Sequence, residues 1–282
     1  MQIRILYLVC LVYLSACSSN RVDFNAIALK QDVQLPLWEI PTNTNQHALF
    51  VFPHPDDEIT CAGTIAALKE NGWQVSLLTL TKGLDEQNKL LRENEWLCAT
   101  AVMQYDTAII YDFYNNKWSD ILANNIVYWN EHRNDIKNAI YKALLQIQPD
   151  IIFTYDTEIG GYGHPEHKIT AELVAEIFNE DSSGLLKVTS LMQMTLPDAL
   201  ETFLVGSVES YPLALERYQT NGLPNPSVAV AINKYWPTKP KAARCYVSQA
   251  EILNKFYLLP SNADTTKHYS TFNREYYSQV KR

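Results

Sequence analysis

The chain has 282 residues, 47% hydrophobic and 19% charged, enough for one large domain with a substantial core or for two small ones. Acidic and basic residues are interspersed around a formal net charge of -8. That mixture excludes a broad phosphate-binding face, so no nucleic-acid partner is expected.

The N-terminal stretch stands apart from the rest of the chain. Arg4 precedes an apolar run from Ile5 to Leu14, too short to span a bilayer but matched to a secretory leader. The run closes on Leu14-Ser15-Ala16-Cys17, followed by Ser18, Ser19 and Asn20, and it resembles the lipobox of bacterial lipoproteins. The likeness implies removal of residues 1–16, lipidation of Cys17 and a membrane partner through that anchor. The location it implies is the bacterial cell envelope, and Ser18 after the cysteine favours the outer membrane, facing the periplasm. An ordinary signal peptide cleaved near Ala16, or a weak anchor helix, would use the same residues. With Cys10 and Cys17 set aside, Cys61, Cys98 and Cys245 remain. They allow one disulfide at most and form no CxxC pair, so a thiolate zinc site is not expected. Cys61 and Cys98 fall in apolar helical patterns and read as small core residues.

Residues 17–46 are polar, proline-interrupted and without period, and read as a tether and lead-in segment, with the folded domain over 47–282. From Ala48 strands and helices alternate. Ala48–Phe52 reads as a buried strand, Ile59–Asn71 as an amphipathic helix ending at Gly72, and Trp73–Thr81 as a second strand. Glu86–Gln104 is helical, Thr107–Tyr111 a strand, and Asp112 to about Asn130 a polar, aromatic loop. A helix over Asp135–Gln148, a strand over Asp150–Tyr155 and a helix from Pro165 to about Asn179 come next. Strands over Thr189–Leu196 and Ser227–Ile232 and a helix over Lys239–Tyr257 complete the pattern. Continuous apolar strands alternating with helices predict a mostly parallel α/β sheet covered on both faces.

Two clusters carry the chemistry: His54-Pro55-Asp56-Asp57-Glu58 and His164-Pro165-Glu166-His167. Each follows a strand, and each histidine precedes a proline, which disfavours helical geometry before it and suits a first helical turn. Strand C-termini of a parallel sheet share one edge, so the two helix starts can meet there. Asp in a first turn is also a common dipole partner, and either cluster alone carries that plainer meaning. Together they offer imidazoles and carboxylates enough for a divalent metal with an open water position, which makes hydrolysis the leading expectation.

The run Pro53-His54-Pro55-Asp56-Asp57-Glu58, with Gly163-His164-Pro165-Glu166-His167 downstream, resembles the PIG-L/LmbE-like family of zinc-dependent de-N-acetylases. The likeness runs from about Ala48 to Gln249 and takes in Thr81-Lys82-Gly83, Arg92 and Glu95, Pro149-Asp150, and Lys241 through Ser248-Gln249. It implies an LmbE-like fold, a Rossmann-like three-layer sandwich, and one Zn2+ per chain. Carried over, it makes His54, Asp57 and His167 the zinc ligands and Asp56 the general base. His164 would steady the oxyanion or help the amine leave.

Arg92 matches a position that can reach substrate, although a pairing with Glu95 or Glu93 is the simpler reading. Asp112, with Asn115, Asn116 and Trp118, lies in a loop that can rim a sugar pocket or simply face solvent. Three departures stand out: Glu166 for the usual Asp, given no catalytic role; Lys82 for an acidic residue; and Tyr246 for a His before Ser-Gln. Gly160-Gly161-Tyr162-Gly163 reads as flexible backbone that lets His164 reach the site. The expected reaction removes an N-acetyl group from an N-acetylglucosamine-type sugar or glycoconjugate. The alternatives are a metal-dependent amidase on larger conjugates, a phosphoesterase, and a non-catalytic glycan-binding envelope lipoprotein.

Overall fold

The computed structural model describes residues 24–30, 35–42, 45–181, 184–256 and 271–282; the predicted leader and the lipidation site at Cys17 lie outside them. The apolar runs become strands β1 (His47–Phe52), β2 (Gln74–Thr81), β3 (Thr107–Phe113), β4 (Ile151–Thr154), β5 (Ser190–Thr195) and β6 (Val228–Ala231), joined by β7 (Arg274–Lys281). They form one sheet in the order β3-β2-β1-β4-β5-β7-β6. The first five strands of that order are parallel, and β7 runs antiparallel to both of its neighbours.

Alternation along β1 divides two cores. Ala48, Phe50 and Phe52 face one, shared with the helices Ala62–Glu70 and Glu86–Met103; Leu49 and Val51 face the other, shared with the helices Arg133–Ile147 and Pro165–Glu180. This is the predicted three-layer α/β sandwich. Strand order reverses between β1 and β4, so the crevice beyond their C-terminal ends is the natural ligand position. Both histidine clusters follow those two strands.

Several expectations are corrected. The helix after β1 begins as a tight 3-10 turn, Asp57–Cys61, before the α-helix Ala62–Glu70. The loop after β3 contains two short helices, Trp118–Ala123 and Val127–Glu131, because Trp129 is fully buried and its indole N–H donates to the Tyr114 carbonyl (2.8 Å). Helices Asp198–Leu204 and Ser210–Tyr218 lie where no element was expected. The long helix predicted from Lys239 is broken into Thr238–Ala243, a turn at Val247–Gln249, and Ala250–Phe256, with Tyr257 outside the described residues. Tertiary bonds fix the break: Cys245 is joined to Cys98, the Tyr246 hydroxyl donates to Glu58, and Ser248 binds Glu95. Cys98 is therefore an exposed disulfide partner rather than a core residue, while Cys61 is buried and free.

The lead-in segment also joins the fold. Ile27, in the helix Phe24–Lys30, packs with Leu200, Ala229 and Tyr276, and Trp38 N–H donates to the Ala229 carbonyl (2.8 Å). β7 was missed because Glu275, Ser278 and Gln279 dilute its apolar signal. Glu275 is nonetheless buried, accepting from the Gly63 and Thr64 amides (3.0 and 2.7 Å) and pairing with Lys239 (2.6 Å). Among the described residues no helix is long and apolar enough to cross a membrane.

Candidate active site

The first cluster leaves β1 in a constrained path. Asp56 adopts φ 97°, a left-handed geometry unusual for a residue with a side chain. Such a backbone costs about 1–3 kcal/mol and persists only where neighbours hold it. Here the Asp56 amide donates to Glu58 Oε2 (3.0 Å), and Arg92 Nη2 donates to the Pro55 carbonyl and to Asp56 Oδ2 (3.1 Å). Asp57 is fixed in turn by the His54 amide on Oδ2 (2.9 Å) and the Tyr155 hydroxyl on Oδ1 (2.8 Å).

The second cluster is reached through the glycine-rich turn. The buried Asp156 carboxylate gathers that turn, accepting from the amides of Glu158 (2.9 Å), Ile159 (2.8 Å), Gly160 (3.3 Å) and Gly161 (2.6 Å). The segment read as flexible is thus pinned. His164 then caps the helix Pro165–Glu180 in an extended conformation, with Pro165 in its first turn.

The two clusters converge. His54 Nδ1 lies 3.2 Å from His167 Nε2 and 3.3 Å from Asp57 Oδ2, and His167 Nε2 lies 3.3 Å from Asp57 Oδ1. Donors on a tetrahedral ion at zinc–nitrogen distance stand roughly 3.3 Å apart, so the two imidazole nitrogens fit a shared cation, with one Asp57 oxygen beside each of them. His54, His164 and His167, all buried, form a looser set of metal-capable nitrogens within 4.8 Å of one another. Asp57 stands close to two of these nitrogens, and the His164 ring is stacked on His167 at 4.3 Å.

Glu166 supplies what the sequence did not reveal. Its Oε2 lies 2.5 Å from His54 Nε2, the ring nitrogen opposite Nδ1, and its Oε1 accepts from the Asn116 amide (3.0 Å) and side chain (2.5 Å). A carboxylate behind a ligand histidine fixes its orientation and raises its basicity. Tyr155, stacked on His167 at 4.0 Å, holds that second ring by packing.

Burial alone would lower the His54 imidazole, but the Asp57 and Glu166 carboxylates outweigh it and raise it to about 10. Burial lowers His164 and His167 well below the usual histidine range. Asp56 is raised by burial against the pull of the Arg92 guanidinium; Asp57 is lowered, because the charges of His167 and His54 overcome its own burial. Burial pushes Glu58 up to about 8 against the hydrogen bond from Tyr246.

Two residues expected near substrate have protein partners in the structure. Arg92 is buried, spent on Pro55, Asp56 and Glu95, with its guanidinium over the Tyr246 ring at 5.3 Å. These contacts brace Asp56. Asp112, near the end of the edge strand β3, pairs with Lys89 (3.0 Å). Of the departures, Lys82 pairs with Glu93 (2.8 Å), and Tyr246 is fully buried against Glu58.

The family model described as GlcNAc-PI de-N-acetylase, PIG-L, matches residues 49–178, which contain both clusters. That stretch is similar to the PIG-L family. A 1D-myo-inositol 2-acetamido-2-deoxy-alpha-D-glucopyranoside deacetylase of Saccharomonospora viridis is 30% identical over 171 residues, covering 50% of this chain and 60% of that protein. The chain spans about half the length of this and most other curated relatives it matches. Among solved structures, a zinc inhibited form of teicoplanin deacetylase aligns at TM-score 0.56 and 15% identity, covering 84% of this chain and 99% of that one. The N,N'-diacetylchitobiose deacetylase of Pyrococcus horikoshii aligns at 0.52 and 19%, covering 84% of each. At such identities these structures establish the shared α/β fold alone.

Proposed function

We propose that this protein is a zinc-dependent N-deacetylase acting on an N-acetylglucosamine-type sugar or glycoconjugate of the bacterial envelope. The observation that carries the reading is the convergence of His54, Asp57 and His167 within 3.3 Å, beside an Asp56 held by Arg92. The relatives named as deacetylases of acetamido sugars support the choice of bond. A zinc ion on this trio would supply a Lewis acid and a water acidified to a pKa of about 7.

The residues of the chain do the rest. Asp56, clamped by Arg92 at 3.1 Å, takes the proton of the attacking water as oxygen adds to the acetamide carbonyl. His164 is buried and its Nδ1 has no hydrogen-bond partner among the described residues, so that nitrogen serves the developing oxyanion. The carbon–nitrogen bond then breaks, the proton on Asp56 passes to the nitrogen, and acetate and a free amine leave. Lipidation at Cys17 and residence in the envelope belong to the same proposal; the Cys98–Cys245 disulfide supports an oxidising compartment.

The test is metal analysis of the full-length protein coupled to acetate release from N-acetylated sugars. Zinc-restored release, and a loss of about a thousandfold in kcat for Asp56→Asn with zinc retained, are the expected results. Magnesium-dependent phosphate release, or zinc bound with no acetate released, would overturn the reading.

A further inference from the structure

One exposed aromatic ring beside the converged groups has no part in the deacetylation steps. Trp118 opens the short helix Trp118–Ala123 and is 41% exposed, although tryptophan usually hides most of its ring. It is not loosely placed. Two residues earlier, Asn116 is locked to Glu166, which is itself locked to His54. The indole N–H donates to Glu209 Oε2 (3.1 Å), the residue that begins the helix Ser210–Tyr218. That helix is anchored to the site from its own side, Ser210 Oγ donating to the Tyr162 carbonyl (2.7 Å). The Trp118 ring centre lies 6.2 Å from that of His164, tilted by 45°.

We propose that Trp118 is the platform on which the pyranose ring bearing the acetamide stacks, with Glu209 holding the indole in place. This rests on the deacetylase reading for the identity of the reacting bond, but not for the stacking itself. A pyranose has a face of C–H groups and a rim of hydroxyls. The face removes apolar indole surface from water, while the rim needs polar partners of the kind this site supplies. An aromatic wall next to buried polar groups is the usual composition of a small-ligand site. The two anchors fix the ring before ligand arrives, so little ordering is needed on binding.

The experiment uses the full-length zinc-loaded protein with methyl N-acetylglucosaminide as the turnover probe, and glucosamine as the binding probe. Trp118→Ala is expected to raise KM and the glucosamine dissociation constant about tenfold, equal to about 1.4 kcal/mol, acting on KM rather than kcat. Trp118→Phe, which keeps a ring, should recover most of the loss, and Glu209→Ala should weaken binding about threefold; thermal melts report whether each variant is folded. Wild type that turns over sugar while folded Trp118→Ala keeps its KM and dissociation constant overturns the proposal. So does an equal KM rise with an N-acetylated amine that carries no sugar ring, which would place Trp118 against the acyl group instead. Wild type that binds glucosamine through Trp118 yet releases no acetate leaves the platform standing and removes the deacetylase reading.

Discussion

The segments 53–58 and 160–167 solve the same problem by different means. Both follow parallel strands and both present a His-Pro pair at a helix start. The first is held from outside: Arg92 grips Asp56 from 36 residues away, Glu166 holds His54 from 112, and Tyr246 holds Glu58 from 188. The second is held chiefly by neighbouring backbone: the Asp156 carboxylate accepts from the amides of residues 158–161, and Gly160, Gly161 and Gly163 take positive φ, with Ser210 adding one bond to the Tyr162 carbonyl. The geometry of His54, Asp56 and Glu58 in one segment therefore depends on side chains scattered along the chain. The other depends on backbone that only small residues can follow.

That contrast is broken most directly at Arg92. Replacing it with Met leaves Glu95 and the left-handed Asp56 without their shared cation, inside the fold. Acetate release should fall about a hundredfold, since a displaced base loses its alignment, and unfolding should be easier by about 3 kcal/mol. Steady-state kinetics and denaturant melts measure both; a variant with wild-type kinetics would mean that Asp56 does not need its distant brace. Glu166→Ala comes next. With no carboxylate behind His54, zinc affinity should fall about 10- to 100-fold while the fold remains, as read by competition with a chelator. Unchanged affinity would return Glu166 to the passive role that its sequence position suggested.

How much of this was legible depends on the same contrast. The run Ala48–Phe52 and the two His-Pro clusters were readable because buried parallel strands and helix starts are written in neighbouring residues. Asp156 was overlooked although it is equally local, because a carboxylate that caps its own turn looks like any loop Asp. The direction of Arg92 was not readable. Helical spacing offered Glu93 and Glu95, and only the sheet brings Asp56 within reach. The same holds for Glu166 behind His54 and for Cys98 bonded to Cys245 across 147 residues. β7 escaped notice because its buried Glu275 serves the helix Ala62–Glu70 rather than the strand pattern.

The smallest effect, and the sharpest probe of the locally built segment, is expected at Gly163. Its φ is +91°, and a methyl there would lie 2.5 Å from the Ser210 carbonyl oxygen and 2.7 Å from the Ala214 side chain. Gly163→Ala combines a strained backbone with a collision, so a loss of about 2 kcal/mol is expected, roughly 4–8 °C in melting temperature. Adding Ala214→Gly removes only the side-chain contact and should return part of that loss. Zinc affinity should hold, because His54 and Asp57 sit on the other segment and His167 is fixed within the first turn of a regular helix, whereas kcat should fall severalfold as His164 shifts. A Gly163→Ala protein that melts and turns over like wild type would show that the turn tolerates displacement, and the distinction between the two segments would fail.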